Sequence, residues 1–365
     1  MPGGLTRVAL REGSLVVNPA RGRHQGQPDP CRSSAPTVQG RRARGHTDAI
    51  GGRLMLSRTA ASLYWLGRYV ERAEFTARLI EATIRLDLLS ARPAGEGAWE
   101  SALAVVSAED GFWFTGEPVS PDAVGRYLAL SLDNPSSIRS CLDAARNNAK
   151  SVRTALTREA WEAINRAWLF VRDVRVTDGT PAALAMIEKL KAEARGFEGA
   201  LHRMLRNEAS FFVRLGAAIE RADNTARLID VKYHLLLPEG EKVGGPIDRD
   251  QWTTILHTVS AVTAYRWLYR EGLRPGHVVD LLVLRHEMPR SIAASADEVA
   301  QLLTSIGRRL GRQGEADRMA RTRQLMLNRS TVNGIISGGL HEFLRGFIAD
   351  NARLDAAIGQ QFRFS

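Results

Sequence analysis

Leu66-Gly67-Arg68-Tyr69-Val70-Glu71-Arg72-Ala73-Glu74-Phe75-Thr76-Ala77-Arg78-Leu79-Ile80 decides the fold, because the chain writes it a second time. The repeat is Leu215-Gly216-Ala217-Ala218-Ile219-Glu220-Arg221-Ala222-Asp223-Asn224-Thr225-Ala226-Arg227-Leu228-Ile229, at a constant offset of 149. Further matches keep their order. Trp99, Leu103, Val106, Ser107 and Ala108 return as Trp252, Leu256, Val259, Ser260 and Ala261 at an offset of 153. Pro121, Val124, Leu128, Leu130, Pro135, Ser137, Ile138 and Asp143 return as Pro275, Val278, Leu282, Leu284, Pro289, Ser291, Ile292 and Asp297 at 154. Small offset changes at loop-like positions are what a duplicated module produces, and a repeat found first governs every later reading.

Within the repeat the pattern is helical. Leu66, Val70, Ala73, Ala77, Ile80, Ile84 and Leu88 step by three and four, so they share one face. No proline interrupts Ser57 to Leu89 or Gly196 to Leu237, and each stretch is expected to be one long helix. Pro121 and Pro275 suit the first turns of later helices, and Pro135 and Pro289 are read as starting the next ones. Alternating strand patterns are essentially absent. The fold class expected is all-α: a multi-helix bundle from a tandem duplication with pseudo-twofold symmetry, repeat 1 at 55–195 and repeat 2 at 196–360, packed as one globular unit.

Residues 1–54 are of another kind, rich in Gly, Pro, Arg and Ser and without sustained periodicity. A disordered basic tail is expected there, since it has too little apolar surface to offset chain entropy. Ser57 can cap the first helix, and Met55 is the expected natural start; the rival is a basic arm for an acidic partner. The tail has nine arginines against Glu12, Asp29 and Asp48, a net of +6 out of the chain's +10, leaving +4 for the rest. So mild a balance, with no basic stripe interleaved with aromatics, argues against nucleic acid. No apolar run is long enough to span a bilayer. Only two cysteines, Cys31 and Cys141, leave neither a disulfide framework nor a cysteine zinc site, and a reducing, cytoplasmic setting is expected.

On the helix wheel Gly67, Glu71, Glu74 and Arg78 fall in one arc and Arg68, Arg72 and Thr76 in another. Adjacent Glu71 and Arg72 therefore cannot pair, whereas Glu74 and Arg78 have the i,i+4 spacing to do so. Asp223 and Arg227 repeat that spacing, with Glu220 on the same arc and Arg221 beside it. Two roles are open for Glu71, Arg72, Glu74, Arg78, Glu220, Arg221, Asp223 and Arg227. They form ion pairs between the repeats that fix the register of the bundle, or they line a cleft where arginine grips carboxylate or phosphate; failing both, they are plain solvated surface.

Other motifs fail on spacing. His341-Glu342 lacks the second histidine of a zinc protease helix. His202, His234, His257, His277 and His286 show no ligand spacing. Gly307, Gly311 and Gly314, mixed with Arg308, Arg309 and Arg312, lack the Lys-Ser/Thr ending of a phosphate loop and read as a helix end and a basic loop. Trp99 and Trp252 read as core. No metal or cofactor is expected.

With both Glu-Arg helices and the opening Met55-Leu56-Ser57-Arg58-Thr59-Ala60 then Leu63-Tyr64-Trp65-Leu66-Gly67-Arg68-Tyr69-Val70-Glu71-Arg72 in view, the sequence resembles the bacterial alpha-E family over roughly 55–360. Trp161-Glu162 and Asn165 are similar to a later motif of that family. The resemblance implies a tandem all-α domain with a Glu-Arg motif. It also implies genes placed beside circularly permuted ATP-grasp ligases, transglutaminase-like proteins and an amino-terminal-nucleophile peptidase. No nucleophile, base and orienting group occur together here. The expected role is thus an accessory or binding subunit of an ATP-grasp-linked peptide synthesis or protein modification system, holding the ligase or its peptide. The alternative is a helical enzyme using Glu71 and Glu220 as acid and base near the pseudo-axis.

Overall fold

The computed structural model describes residues 57–89, 95–174, 180–234, 245–311 and 313–364. The tail 1–54, with Cys31 and the expected start at Met55, lies outside them. Among the described residues the chain is fifteen α-helices, with no strand. In the first half these are α1 (Ser57–Leu89), α2 (Gly95–Val105), α3 (Glu109–Trp113), α4 (Pro121–Leu130), α5 (Ile138–Ser151), α6 (Arg158–Asp173) and α7 (Thr180–Arg203). Then come α8 (Glu208–His234), α9 (Pro246–Thr258), α10 (Val262–Tyr269), α11 (Pro275–Val279), α12 (Ile292–Leu310), α13 (Glu315–Arg329), α14 (Val332–Ser337) and α15 (Leu340–Phe362).

The unbroken α1 covers the first proline-free stretch, but the second is divided. α7 ends at Arg203 and α8 starts at Glu208. The cause is a cap: Asn207 Oδ1 accepts from the Ser210 backbone N–H at 3.2 Å, and Ser210 Oγ accepts from that of Asn207 at 3.2 Å. Absence of proline does not prevent a helix from starting anew where side chains satisfy its first donors. Residues 195 and 196 lie inside α7, and the helical stretch is interrupted at 204–207. The parts of the stretch beyond His234 lie outside the described residues.

Pro121 and Pro275 stand in the first turns of α4 and α11. Pro135 and Pro289 do not start helices. They sit in turns just before the caps Ser137 and Ser291, whose hydroxyls accept from the backbone N–H groups of Ser140 at 3.1 Å and Ala294 at 2.9 Å. Each capping hydroxyl also donates back across its turn, Ser137 to the Ser131 carbonyl and Ser291 to that of Arg285, both at 2.6 Å. Gly311 is the left-handed cap closing α12, and Gly314 caps α13.

α1 and α8 lie side by side at the centre and run parallel. The contacts show the direction: Gly67 meets Val213 and Ala217, Gly216 meets Tyr64 and Arg68, and Arg72 meets Glu220, so both chains advance together. Two apolar clusters form around them. One takes Leu63, Leu66 and Val70 of α1 with Phe212, Leu215 and Ile219 of α8. The other takes Ala73, Ala77 and Ile80 with Ala222, Ala226 and Ile229, and includes buried Trp99 and Trp252. Between Val70 and Ala73, and between Ile219 and Ala222, stand the two Glu-Arg pairs, a charged layer separating two apolar ones.

Candidate functional site

The charged layer is built by exchange. Glu220 on α8 accepts from Arg72 Nε at 2.6 Å and from Arg68 Nε at 2.8 Å, both on α1. Glu71 on α1 accepts from Arg221 Nη2 of α8 at 2.8 Å and from Arg290 Nη1, just ahead of α12, at 2.6 Å. Each glutamate therefore binds the arginine of the opposite Glu-Arg pair, never its own neighbour. The side chains of Glu71 and Glu220 are about as hidden as the surrounding leucines, at 5% and 3% exposure.

A second tier repeats the exchange one turn on. Glu74 holds Arg78 at 2.7 Å, and Arg78 Nη1 donates to Ser260 Oγ at 2.6 Å. Asp223 holds Arg227 at 2.6 Å, and Arg227 Nη1 donates to Ser107 Oγ at 2.7 Å. Both serines have left-handed backbones, φ 53° for Ser107 and 57° for Ser260. They close α2 and α9 by the same pair of bonds: Ala108 N–H to the Leu103 carbonyl with Ser107 N–H to that of Ala104, and Ala261 to Leu256 with Ser260 to His257. This is the double hydrogen bond that ends a helix with a residue usually glycine. Here a serine occupies the place, and its hydroxyl serves an arginine of the other half.

The symmetry of the exchange is incomplete. Glu220 takes its second cation from Arg68, whose counterpart at the 149 offset is Ala217. Glu71 takes its second from Arg290, whose counterpart at the 154 offset is Ser136. Matching surroundings at the two glutamates, implied by the repeat, are thus not what the structure has. Arg290 also bridges to Glu74 at 3.0 Å, and Arg221 reaches Glu298 at 3.4 Å. Arg68 is shared with Asp355 of α15 at 2.7 Å, and Tyr64 donates its hydroxyl to the same carboxylate at 2.5 Å.

Burial by itself would raise the pKa of both glutamates, since it penalises the charged form. For Glu220 the guanidinium charges of Arg72 and Arg68 and their hydrogen bonds outweigh it, and the carboxyl is pulled down to about 2. For Glu71 the charges of Arg221 and Arg290 do the same, and its pKa is lowered. Both stay ionised at neutral pH, with both oxygens of each engaged. The four arginines that hold the two glutamates are themselves largely buried, their side chains 11–17% exposed. A small apolar cavity between α1, α5, α6 and α7 touches Glu74 at its edge but is lined mainly by Val70, Ile138, Leu142, Ile164 and Phe197.

Arg68, Arg290, Glu298 and Asp355 were not among the sequence candidates. Arg68 carried a signal, lying on the wheel arc of Arg72, one turn before it. Nothing in the sequence marked Arg290, Glu298 or Asp355, which lie 64 or more residues beyond the end of the helix whose charges they balance. Of the remaining candidates, His286 pairs with Asp297 at 2.5 Å and His277 stacks on the Tyr269 ring at 4.5 Å. Asn165 accepts from Arg146, whose guanidinium lies over the rings of Trp161 and Trp168. Among the described residues no cluster of His, Cys, Asp or Glu is arranged to hold a metal, and no helix is long and apolar enough to cross a membrane.

Residues 55–362 match the Alpha-E family, described as a predicted alpha-helical domain with a conserved ER motif. No curated protein matches the chain, and no solved structure does.

Proposed function

The chain belongs to the Alpha-E family, and from that premise we propose that it is a non-catalytic, accessory helical subunit of an ATP-grasp-linked peptide synthesis or protein modification system, binding the ligase or its peptide. The observation that supports this reading is the saturation of the motif. Glu71 and Glu220 are each held by two guanidiniums, so neither has a free oxygen to take a proton, and their lowered pKa values deny them one to give at neutral pH. A motif spent on joining α1 to α8 leaves recognition to the outer surface. Partners on this reading are a circularly permuted ATP-grasp ligase and a transglutaminase-like protein. The setting is cytoplasmic, in keeping with a buried, unpaired Cys141.

The test is reconstitution. Full-length chain, tagged and purified from native lysate, is expected to bring down an ATP-grasp ligase, and the purified ligase is expected to bind it and to change rate when it is added. A ligase that neither binds the chain nor responds to it would overturn the proposal. So would turnover of a peptide substrate by the chain alone.

A further inference from the structure

Phe114 and Trp267 lie 153 residues apart, the offset that also relates Ser107 to Ser260, and both stand out from the surface: Phe114 is 91% exposed and Trp267 79%. Two residues earlier the matched rings of Phe112 and Tyr265 are buried, so each tip is anchored by one aromatic and presents another. Trp113 beside the first and Leu268 beside the second are exposed as well. Single exposed apolar side chains need no explanation. Paired ones at the same position of two matched tips do, because exposed apolar patches mark contact surfaces.

The charges around the tips are opposite. Residues 107–126 hold Glu109, Asp110, Glu117 and Asp122 against Arg126 alone. Residues 260–280, the matching span, hold Arg266, Arg270 and Arg274 against Glu271 and Asp280, and Asp280 is taken by Arg285 at 2.7 Å. Asp110, Glu117 and Asp122 on one side and the three arginines on the other are exposed. Local pairing does not cancel the difference: Arg126 pairs with Glu117 and Arg274 with Glu271, which leaves Asp110 and Asp122 facing outward at one tip and Arg266 and Arg270 at the other.

We propose that the two tips are the halves of one interface between copies of this chain, the acidic Trp113-Phe114 tip of one molecule receiving the basic Trp267-Leu268 tip of the next. Like tips would bring like charges together, whereas unlike tips match in charge and in aromatic and arginine content, the composition of interface centres. Since each chain carries one tip of each kind, the contact is head-to-tail. It repeats until a ring closes or continues as an open assembly. The proposal is independent of the one above.

The experiment uses two variants of the full chain, Phe114→Ser and Trp267→Ser, with mass measured by sedimentation velocity. The unmodified chain is expected above monomer mass, rising with concentration and falling as salt is added. Each variant alone is expected to be a monomer, because every molecule lacks the same tip. An equimolar mixture is expected to form a one-to-one dimer that does not grow, the one intact acidic tip meeting the one intact basic tip. Arg266→Glu with Arg270→Glu, which keeps both aromatics, is expected to behave as Trp267→Ser does. An unmodified chain that stays monomeric overturns the proposal, as does self-association of either variant alone, or a mixture that remains monomeric.

Discussion

Gly67 rests so closely against Val213 that a Cβ placed on it would fall 1.9 Å from the Val213 carbonyl oxygen, and one on Gly216 would fall 1.9 Å from that of Tyr64. The obstacle is backbone in both cases, so no side chain can swing aside. Gly67→Ala and Gly216→Ala are each expected to force α1 and α8 apart and lose at least about 1–3 kcal/mol, the range for overpacking. Gly199, exposed on α7 with nothing within 4 Å of its would-be Cβ, is the contrast. There alanine is expected to stabilise by about 0.5–1 kcal/mol, as in any open helix position. Urea unfolding of the three variants reads the difference.

Glutamine at the two glutamates is expected to act unequally. Without Glu220, Arg72 has no other carboxylate among the described residues, while Arg68 keeps Asp355. Without Glu71, Arg290 keeps Glu74 and Arg221 keeps Glu298. Breaking a buried pair costs about 3–5 kcal/mol, and Glu220→Gln is expected at the upper end with Glu71→Gln below it. Equal losses of melting temperature would show that the extra carboxylates contribute nothing.

Acid should erase part of that difference. The Glu220 carboxyl is lowered from its ordinary 4.5 to about 2 in the folded chain, so it binds a proton more readily when unfolded. Its contribution is fully present above pH 4.5 and is lost as pH falls from there through about 2. The lowered pKa corresponds to about 3 kcal/mol at neutral pH. Stability measured against pH is expected to fall more steeply for the unmodified chain than for Glu220→Gln, and the gap between them to narrow below pH 4.5. A constant gap would mean that the Glu220 carboxyl has the same pKa in the folded and the unfolded chain.

Ser260 separates two demands placed on one residue. Its left-handed backbone favours glycine, while its hydroxyl receives Arg78. Ser260→Ala keeps the strain and loses the bond, for about 1.5–3 kcal/mol when the donor is charged. Ser260→Gly loses the bond but relieves roughly 1 kcal/mol of strain. The expected order in denaturant is serine, then glycine, then alanine. Glycine above serine would show that the Arg78 contact adds little.

What the sequence displayed was whatever repeats or is local. α1 could be read from apolar spacing, the Glu74–Arg78 pair from i,i+4 geometry, and Ser107 and Ser260 as a matched pair, though not as left-handed caps. The start of α8 had a legible signal in Asn207 and Ser210 that proline-counting passed over. The crossed exchange between Glu71 and Arg221 and between Glu220 and Arg72 depends on α1 and α8 lying parallel. Local periodicity carries no information about relative direction. Arg290 and Asp355 depend on where a turn and a last helix come to rest, which is set by the packing of everything between.

The crossed arrangement also fixes an order of events during synthesis. Arg72 has its carboxylate on Glu220, 148 residues later in the chain. At ribosomal rates of about 5–20 residues per second, the first half waits roughly 7–30 s before α8 exists to receive it. Throughout that interval α1 exposes Gly67, shaped for a helix not yet made, and Arg68, Glu71 and Arg72 with their counter-ions still untranslated. The amino-terminal half is thus the form of the molecule most open to chaperones and to mispairing with the completed α8 of another chain.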